Sequence, residues 1–179
     1  EALKRLGHVE LLRIGDRDRA TKLYRTLMLK QGKPLSKITK EICERFDVRA
    51  NVMPMSDERV QTLINTEAGV MTFHEFWVAR KAMDRVLGIS FKGAEDAKPA
   101  PDVLEAIEVA DVVLIGPSNP VTSIGPILAV EEIREALSHN RGKVIAASPI
   151  VGNAPISGPA GVLMRGLGYE VSPVGVARM

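Results

Sequence analysis

The fold is decided by residues 110–137, ADVVLIGPSNPVTSIGPILAVEEIREAL. The apolar run at residues 111–116 predicts a buried strand, and the spacing of apolar residues over 126–137 predicts a helix. Between them lies Ile115–Pro126, IGPSNPVTSIGP, in which prolines, glycines and hydroxyl side chains shape the backbone more than a plain connection needs. A strand, a polar loop and a helix in this order predict one unit of a parallel sheet.

The same order recurs in the next segment of the chain. KVIAAS at residues 143–148 predicts a second strand, and PAGVLMRGLG at 159–168 predicts the helix that follows it. The loops Gly116–Gly125 and Ser148–Gly158 then leave the carboxyl ends of neighbouring strands. Right-handed crossovers place such loops at one edge of the sheet, which is where open α/β sheets bind ligands.

Both loops end in Gly-Pro before a helix, and Pro126 and Pro159 fit the first helical position. The glycines before them leave room for a ligand to approach a helix start, whose free N–H groups and dipole suit a phosphate. The alternative is purely structural: Thr122 and Ser123 cap a helix, and Asn119 satisfies a turn.

The remainder of the chain predicts a second kind of structure. Helices are expected over residues 17–31 and 36–46, with Gly32 ending the first. Residues 50–93 predict a β-rich insertion with strands at 50–55, 59–66, 69–73 and 85–93, a hairpin turn at 67–69 and a short helix at 74–83. We therefore expect an α/β fold, a Rossmann-like parallel sheet with flanking helices and a smaller β-containing insertion, as one partial domain over residues 1–179.

Composition excludes several classes of protein. A net charge of +2 and 4% aromatic residues disfavour nucleic-acid binding. No apolar run reaches the roughly 18 residues of a membrane span, so a cytoplasmic protein is expected. Neither G-x-G-x-x-G after a strand nor G-x-x-x-x-G-K-[ST] occurs, which argues against a nicotinamide dehydrogenase and a P-loop kinase.

A charged segment, RIGDRDRATK at residues 13–22, precedes the first helix. Its carboxylates, Asp16 and Asp18, suit Mg²⁺ beside a diphosphate, and its arginines suit phosphate oxygens. The alternative is that one aspartate caps the helix while the arginines are solvated. Farther along, Asp57 follows Ser56 in a segment that a turn with an Asx-type hydrogen bond explains. His74 and Glu75, beside Trp77, could line a pocket; the alternative is that His74 is a partly buried structural histidine.

Five segments together resemble the 2-phospho-L-lactate transferase family of coenzyme F-420 biosynthesis. They are GDRDRAT (15–21), VMPMSDERV (52–60), FHEFWV (73–78), IGPSNPVTSIGPILAV (115–130) and SPIVGNAPISGPAG (148–161). The resemblance implies a guanosine diphosphate-linked donor that carries phospholactate, or phosphoenolpyruvate in some members, and a deazariboflavin acceptor. A ribityl hydroxyl of the acceptor attacks the phosphorus that bears the organic acid, GMP leaves, and Mg²⁺ is the expected cofactor.

The resemblance also implies roles for individual residues. Arg13 stands where the family contacts the deazaflavin acceptor, with Arg in place of the Lys of other members. Asp16 and Asp18 would lie at the same site and are the expected catalytic carboxylates. Asp16 is also the expected metal ligand. The remaining substrate-binding residues are Asp57 and the nucleotide or diphosphate cradle, Ser118, Asn119, Pro120, Thr122 and Ser123.

One departure from the family concerns the ends of the chain. The family's N-terminal glycine-rich loop and its C-terminal portion do not occur in these residues, so an internal piece of the enzyme is expected. A homodimer is expected from base rates. The main alternative is a non-enzymatic regulator from a related branch linked to gluconeogenesis, which binds nucleotide sugars; its members carry a different loop in place of PSNPVTSIGP.

Overall fold

A computed structural model describes residues 5–7 and 14–179 of the chain. These residues belong to two compact units, Glu1–Val52 and Met53–Met179, and each unit is treated by itself. The predicted mixed α/β fold is confirmed: in the described part of the chain, helices accompany one parallel and three antiparallel pairings of strands. That residues 50–93 form an insertion within a single domain stays a prediction.

The first unit contains both predicted helices, α1 (Asp16–Lys30) and α2 (Leu35–Arg45). Gly32 ends α1 as predicted: its φ is +78°, and the N–H of the next residue, Lys33, donates to the carbonyl of Met28 at 3.1 Å. The predicted apolar face of α1 is not buried within the described part of the unit, because no α1 residue there is buried.

A cluster around Glu41 joins the two helices. The Tyr24 hydroxyl and the Lys33 ammonium donate to the two Glu41 carboxylate oxygens at 2.7 and 2.6 Å. The Arg45 guanidinium lies 5.2 Å from the centre of the Tyr24 ring. Hydrogen bonds from Lys33 and then Tyr24 lower the pKa of Glu41. The cluster therefore links α1 to α2 through the Glu41 carboxylate, which is held in its ionised form.

The second unit begins with a three-stranded antiparallel sheet in the order β2-β1-β3. Its strands are β1 (Gln61–Thr66), β2 (Gly69–Thr72) and β3 (Val86–Lys92). Thr66 pairs with Gly69, which confirms the predicted turn at 67–69. The strand predicted at 50–55 is wrong. The nearest pairing is an isolated bridge between Ser56 and Pro99, so among the described residues the segment 50–55 does not join a strand ladder.

A parallel pair of strands follows, β4 (Val113–Ile115) and β5 (Val144–Ala146). Their pairing, with Leu114 opposite Ile145, confirms the predicted parallel arrangement. A short antiparallel hairpin that the sequence did not predict, β6 with β7, lies inside the second loop. The bounds of the other elements are α3 Val103–Val109, α4 Gly125–Leu128, α5 Glu131–His139, β6 Ile150–Val151, β7 Ala154–Pro155, α6 Ala160–Gly166 and α7 Pro173–Ala177, with π-helical turns at Glu75–Ala79 and Pro120–Ile124 and a 3-10 turn at Arg141–Lys143.

The helix predicted over 126–137 is two helices, α4 and α5, separated at Val130. Val130 has an extended ψ of 110° and is fully buried, in contact with the cluster that contains Ala97 and Ile133. The Arg134 Nε–H donates to the carbonyl of Leu128, the last residue of α4, at 2.9 Å. Burial of Val130 thus outweighs the continuous helical pattern of the sequence.

The main core of this unit packs α6 against the antiparallel sheet and the first π-helical turn. Gly166 of α6 lies against Val86 of β3 so closely that a Cβ at this glycine would collide with the valine side chain. The buried residues of this core are Ile64, Phe76, Val86, Val121, Ile150, Ala160, Leu163, Met164 and Val171. Among the described residues, no helix has the length and apolar character needed to cross a membrane.

Candidate functional site

The two loops that follow β4 and β5 form the walls of one pocket. This pocket has a volume of about 340 Å³ and is lined by Pro117–Asn119 and Thr122–Ser123 of the first loop and by Ile156–Ala160 of the second. The parallel register of β4 and β5 brings both loops to the same edge of the sheet. The prediction that these loops lie side by side is confirmed.

Asn119 shapes the first loop from within. Its Oδ1 accepts hydrogen bonds from the N–H groups of Val121 and Thr122 at 3.0 and 3.2 Å. Its carbonyl accepts from the N–H groups of Ser123 and Ile124 at 3.0 and 3.1 Å. These four N–H groups of the loop are therefore occupied, and the structural role expected for Asn119 is present.

The first Gly-Pro pair serves a purpose other than the expected one, whereas a Cβ on Gly158 of the second pair would meet nothing within 4 Å. A Cβ on Gly125 would lie 2.8 Å from Cζ of Phe91, so this glycine gives space to a strand side chain rather than to a ligand. Gly158 has a φ of +71°, which favours glycine for backbone reasons. Pro126 is the second residue of α4, and Pro159 is the N-cap of α6 rather than its first residue.

Phe73 and Trp77 form an aromatic wall of the pocket. The segment that carries them begins at a capping box: Glu75 Oε2 accepts from the Thr72 N–H at 2.8 Å and from its hydroxyl at 2.7 Å, and Thr72 Oγ1 accepts from the Glu75 N–H at 3.2 Å. Donation from the Thr72 N–H and hydroxyl lowers the pKa of Glu75. Residues four apart on a helical turn share a face, which puts both rings on the pocket side.

His74 and Glu75 do not line this pocket. The expectation of a partly buried His74 is wrong, because its side chain is exposed. Glu75 is engaged in the cap. The aromatic wall was missed because the helix was expected to start at His74; the Thr72-x-x-Glu75 pattern would have moved the start to Phe73 and paired it with Trp77.

The pocket contains hydroxyl groups but no charged side chain among the described residues. Ser118, Thr122, Ser123 and Ser157 supply the hydroxyls, and none of the four side chains has a hydrogen-bond partner in the described part of the chain. Such a lining suits an uncharged ligand portion that carries its own hydroxyl groups.

Pro120, another predicted cradle residue, is buried and lies on the other side of the first loop. There it lines a larger cavity of about 570 Å³, with apolar and aromatic walls and Arg134 as its charged side chain. Ser118 and Pro149 line both cavities. The structure thus brings Ser118, Asn119, Thr122 and Ser123 together at the first pocket and places Pro120 behind them.

Asp57 lies outside the lining of both cavities. The turn in its segment is formed by Ser56, which is 2% exposed. The Ser56 hydroxyl contacts the carbonyl of Lys98 and a carboxylate oxygen of Glu58, each at 2.6 Å. The hydrogen bond from Ser56 and the N–H of Lys98 lower the pKa of Glu58. This cluster therefore joins two distant segments, and a substrate contact by Asp57 stays a prediction.

Asp16 and Asp18 occupy the first turn of α1, and both are exposed. Gly15 is the N-cap residue, so neither aspartate caps the helix. Side chains two apart on a helix point to different sides, and the described residues contain no group of three or more metal-binding side chains. The residues fit a Mg²⁺ ion that takes one carboxylate and completes its shell with phosphate oxygens and water. Arg13 lies outside the described residues.

Comparison with known proteins gives a consistent result. Residues 3–177 match the family described as 2-phospho-L-lactate transferase CofD. The chain is 49% identical, over 99% of its length, to a protein of Methanosarcina acetivorans named 2-phospho-L-lactate transferase. It is 50% identical, over 98% of its length, to one of the same name from Methanopyrus kandleri. The chain spans 57% and 56% of those two relatives.

Solved structures with a similar fold include a UPF0052 family member from Bacillus halodurans. One crystal structure of it has a TM-score of 0.57 and 27% identity, and covers 69% of this chain and 39% of the other. A second has a TM-score of 0.53 and 29% identity, and covers 64% and 36%. The fold of about two thirds of this chain therefore occurs in crystal structures.

Proposed function

Because the chain belongs to the 2-phospho-L-lactate transferase CofD family, we propose that its protein transfers a phospholactyl or phosphoenolpyruvyl group from a guanosine diphosphate-linked donor to a deazariboflavin acceptor. The observation that carries this proposal is the shared pocket of the two loops. Those loops contain two of the five segments on which the resemblance to the family rests, and they lie at the sheet edge where α/β proteins bind ligands.

In the proposed reaction, the terminal ribityl hydroxyl of the acceptor attacks the phosphorus that bears the organic acid. A new P–O bond forms, the P–O bond to GMP breaks, and GMP leaves with the electron pair. The hydroxyl proton passes to a carboxylate, for which Asp16 and Asp18 are the proposed residues. Alignment of the two substrates and neutralisation of phosphate charge account for most catalysis in reactions of this type.

Mg²⁺ is the proposed cofactor, and Asp16 is its proposed protein ligand. When bound, the ion would neutralise negative charge on the phosphate oxygens. Arg13 is proposed to contact the acceptor, and the guanidinium charge suits either a phosphate or a polar ring edge. Ser118, Thr122 and Ser123 are the proposed substrate-contacting residues of the first loop, and Asn119 holds that loop in shape.

The test is an assay of the full-length protein with deazariboflavin and each candidate donor, in which GMP release and the phosphodiester product are measured together. We expect equal amounts of both products with one of the two donors. Absence of GMP release with both donors in the presence of Mg²⁺ would refute the proposal. Tight binding of a UDP-sugar without binding of deazariboflavin would favour the regulator instead.

Asp16→Asn tests the proposed carboxylate. The change keeps the size of the side chain but removes its charge, so we expect kcat to fall by about 100-fold or more and the Mg²⁺ concentration for half-maximal rate to rise. Asp111→Asn is the matched control, since Asp111 is exposed and lines neither cavity. An unchanged rate and Mg²⁺ titration in Asp16→Asn would reduce Asp16 to a residue that stabilises the start of α1.

A further inference from the structure

The aromatic wall of the two-loop pocket has no role in the proposed transfer step. Trp77 is the single tryptophan of the chain, and it is 40% exposed while Phe76 beside it is fully buried. The indole therefore lies at the pocket surface on a segment that is anchored in the core. A flat, open aromatic face at a cavity wall is suited to stacking on a planar ligand.

Both ends of this segment are fixed by hydrogen bonds. The Thr72–Glu75 capping box holds its start. At its end, the N–H groups of Arg80 and Ala82 donate to the carbonyls of Glu75 and Phe76 at 2.9 and 2.8 Å. The backbone around Trp77 is thus held before any ligand arrives, which lowers the entropic cost of stacking.

The opposite walls of the pocket restrict what can stack there. They present the serine and threonine hydroxyls of both loops and no charged side chain among the described residues. A diphosphate would have no countercharge in such a lining, whereas sugar hydroxyls would find both donors and acceptors. At about 340 Å³, the pocket is at the small end of the range for ligand pockets, so it suits one ring with part of its chain.

We propose that this pocket binds a planar heteroaromatic ring that carries a hydroxylated sugar chain. The ring stacks on Trp77, and the chain is hydrogen-bonded by Ser118, Thr122 and Ser123. This inference rests on the proposed function, in which two ligands have that chemistry: the guanosine of the donor and the ribityl-deazaflavin acceptor. The charged diphosphate lies outside the pocket.

The experiment uses the full-length protein and two probes, guanosine and deazariboflavin. Tryptophan fluorescence lifetimes are measured in the wild type and in Trp77→Phe, and their difference isolates the emission of Trp77. We expect saturable quenching of that component by one probe, and its identity decides which substrate occupies the pocket. Equilibrium dialysis should show that Trp77→Ala weakens binding of the same probe by about 5- to 150-fold, while Trp77→Phe keeps a ring and stays within about threefold.

Two further variants make the result specific. Met83→Ala removes a side chain that is 84% exposed and lines neither cavity, so we expect it to bind both probes like the wild type. Ser123→Ala removes one hydroxyl and should weaken the same probe by about 2- to 13-fold. It also provides a test if Trp77→Ala fails to fold, as circular dichroism would show.

The proposal is overturned if neither probe quenches Trp77, or if both Trp77→Ala and Ser123→Ala bind the two probes with wild-type affinity. Its failure is distinguishable from that of the proposed function because binding is measured without turnover. Saturable quenching in a protein that releases no GMP would refute the transferase and keep the pocket. Normal GMP release, together with wild-type binding of both probes by the Trp77→Ala and Ser123→Ala variants, would refute the proposed role of the pocket but not the transferase activity.

Discussion

Single side chains in the first loop divide between holding the loop and facing the pocket. The Oδ1 and the carbonyl oxygen of Asn119 accept hydrogen bonds from four successive N–H groups, from Val121 to Ile124. Ser118 and Ser123 have side-chain hydroxyls without partners in the described part of the chain. Polar residues that look alike in the sequence thus differ in what they can offer a ligand, and substitution can separate the two roles.

Asn119→Ala should lower the free energy of unfolding by about 0.5–2 kcal/mol, because an N-cap side chain is lost. Asn119→Asp keeps an oxygen acceptor and should lose less. Chemical denaturation of both variants measures the difference, and Ser118→Ala is the control, expected within about 0.5 kcal/mol of the wild type. Equal stability of Asn119→Ala and wild type would show that these hydrogen bonds contribute nothing net to the loop.

At the scale of secondary-structure elements, the turn that carries Trp77 depends on a charged cap. The Thr72 N–H and hydroxyl lower the pKa of Glu75 in the folded protein. A carboxylate with a lowered folded pKa stabilises the fold above its unfolded pKa, about 4.3 for glutamate, and this contribution is lost as pH falls through the folded value.

Glu75→Gln should therefore lower Tm at pH 7, and the difference from wild type should shrink at pH 3, where the wild-type carboxyl is becoming protonated. Thermal unfolding by circular dichroism at both pH values measures this. Glu95→Gln is the control, since Glu95 is exposed and makes no side-chain hydrogen bond within the described residues. A Tm difference that is the same at both pH values would contradict the ionised cap.

Elements with a local signal were predictable from the sequence, and those set by distant contacts were not. Alternation and turn chemistry predicted β1 and β2, and the apolar run with a polar loop predicted β4. The β6–β7 hairpin has two residues in each strand, which is too short to show a period. The break at Val130 depends on burial in a cluster with Ala97, a residue distant in the sequence, which no local pattern contains.

The candidate site follows the same division. The two loops were predicted because the carboxyl ends of parallel strands meet at one edge, a rule of topology rather than of local sequence. Which groups in them remain free was not predictable, because Asn119 satisfies its neighbours through geometry that only the folded loop has. Trp77 was missed since its place at the pocket depends on where its helical turn begins.

At the scale of the whole molecule, the parallel pair of strands is unusual in its exposure. Leu114 and Ile145 are opposite each other in register and are 67% and 57% exposed. Val112, just before β4, is 58% exposed. Parallel sheets normally have both faces covered, and the chain spans 57% of the length of a relative such as that of Methanosarcina acetivorans. An apolar strip of this kind binds hydrophobic dyes or promotes self-association.

We therefore predict that the 179-residue chain, expressed by itself, binds the dye ANS and associates as its concentration rises. The double variant Leu114→Ser, Ile145→Ser should bind less dye and remain monomeric to higher concentration, as light scattering after gel filtration would measure. Val70→Ser with Met83→Ser is the matched control: both side chains are exposed, at 65% and 84%, but they lie away from this pair of strands. If the control lowers dye binding as much as the strand variant does, the binding reflects general exposure of apolar side chains and not the open face of the parallel sheet.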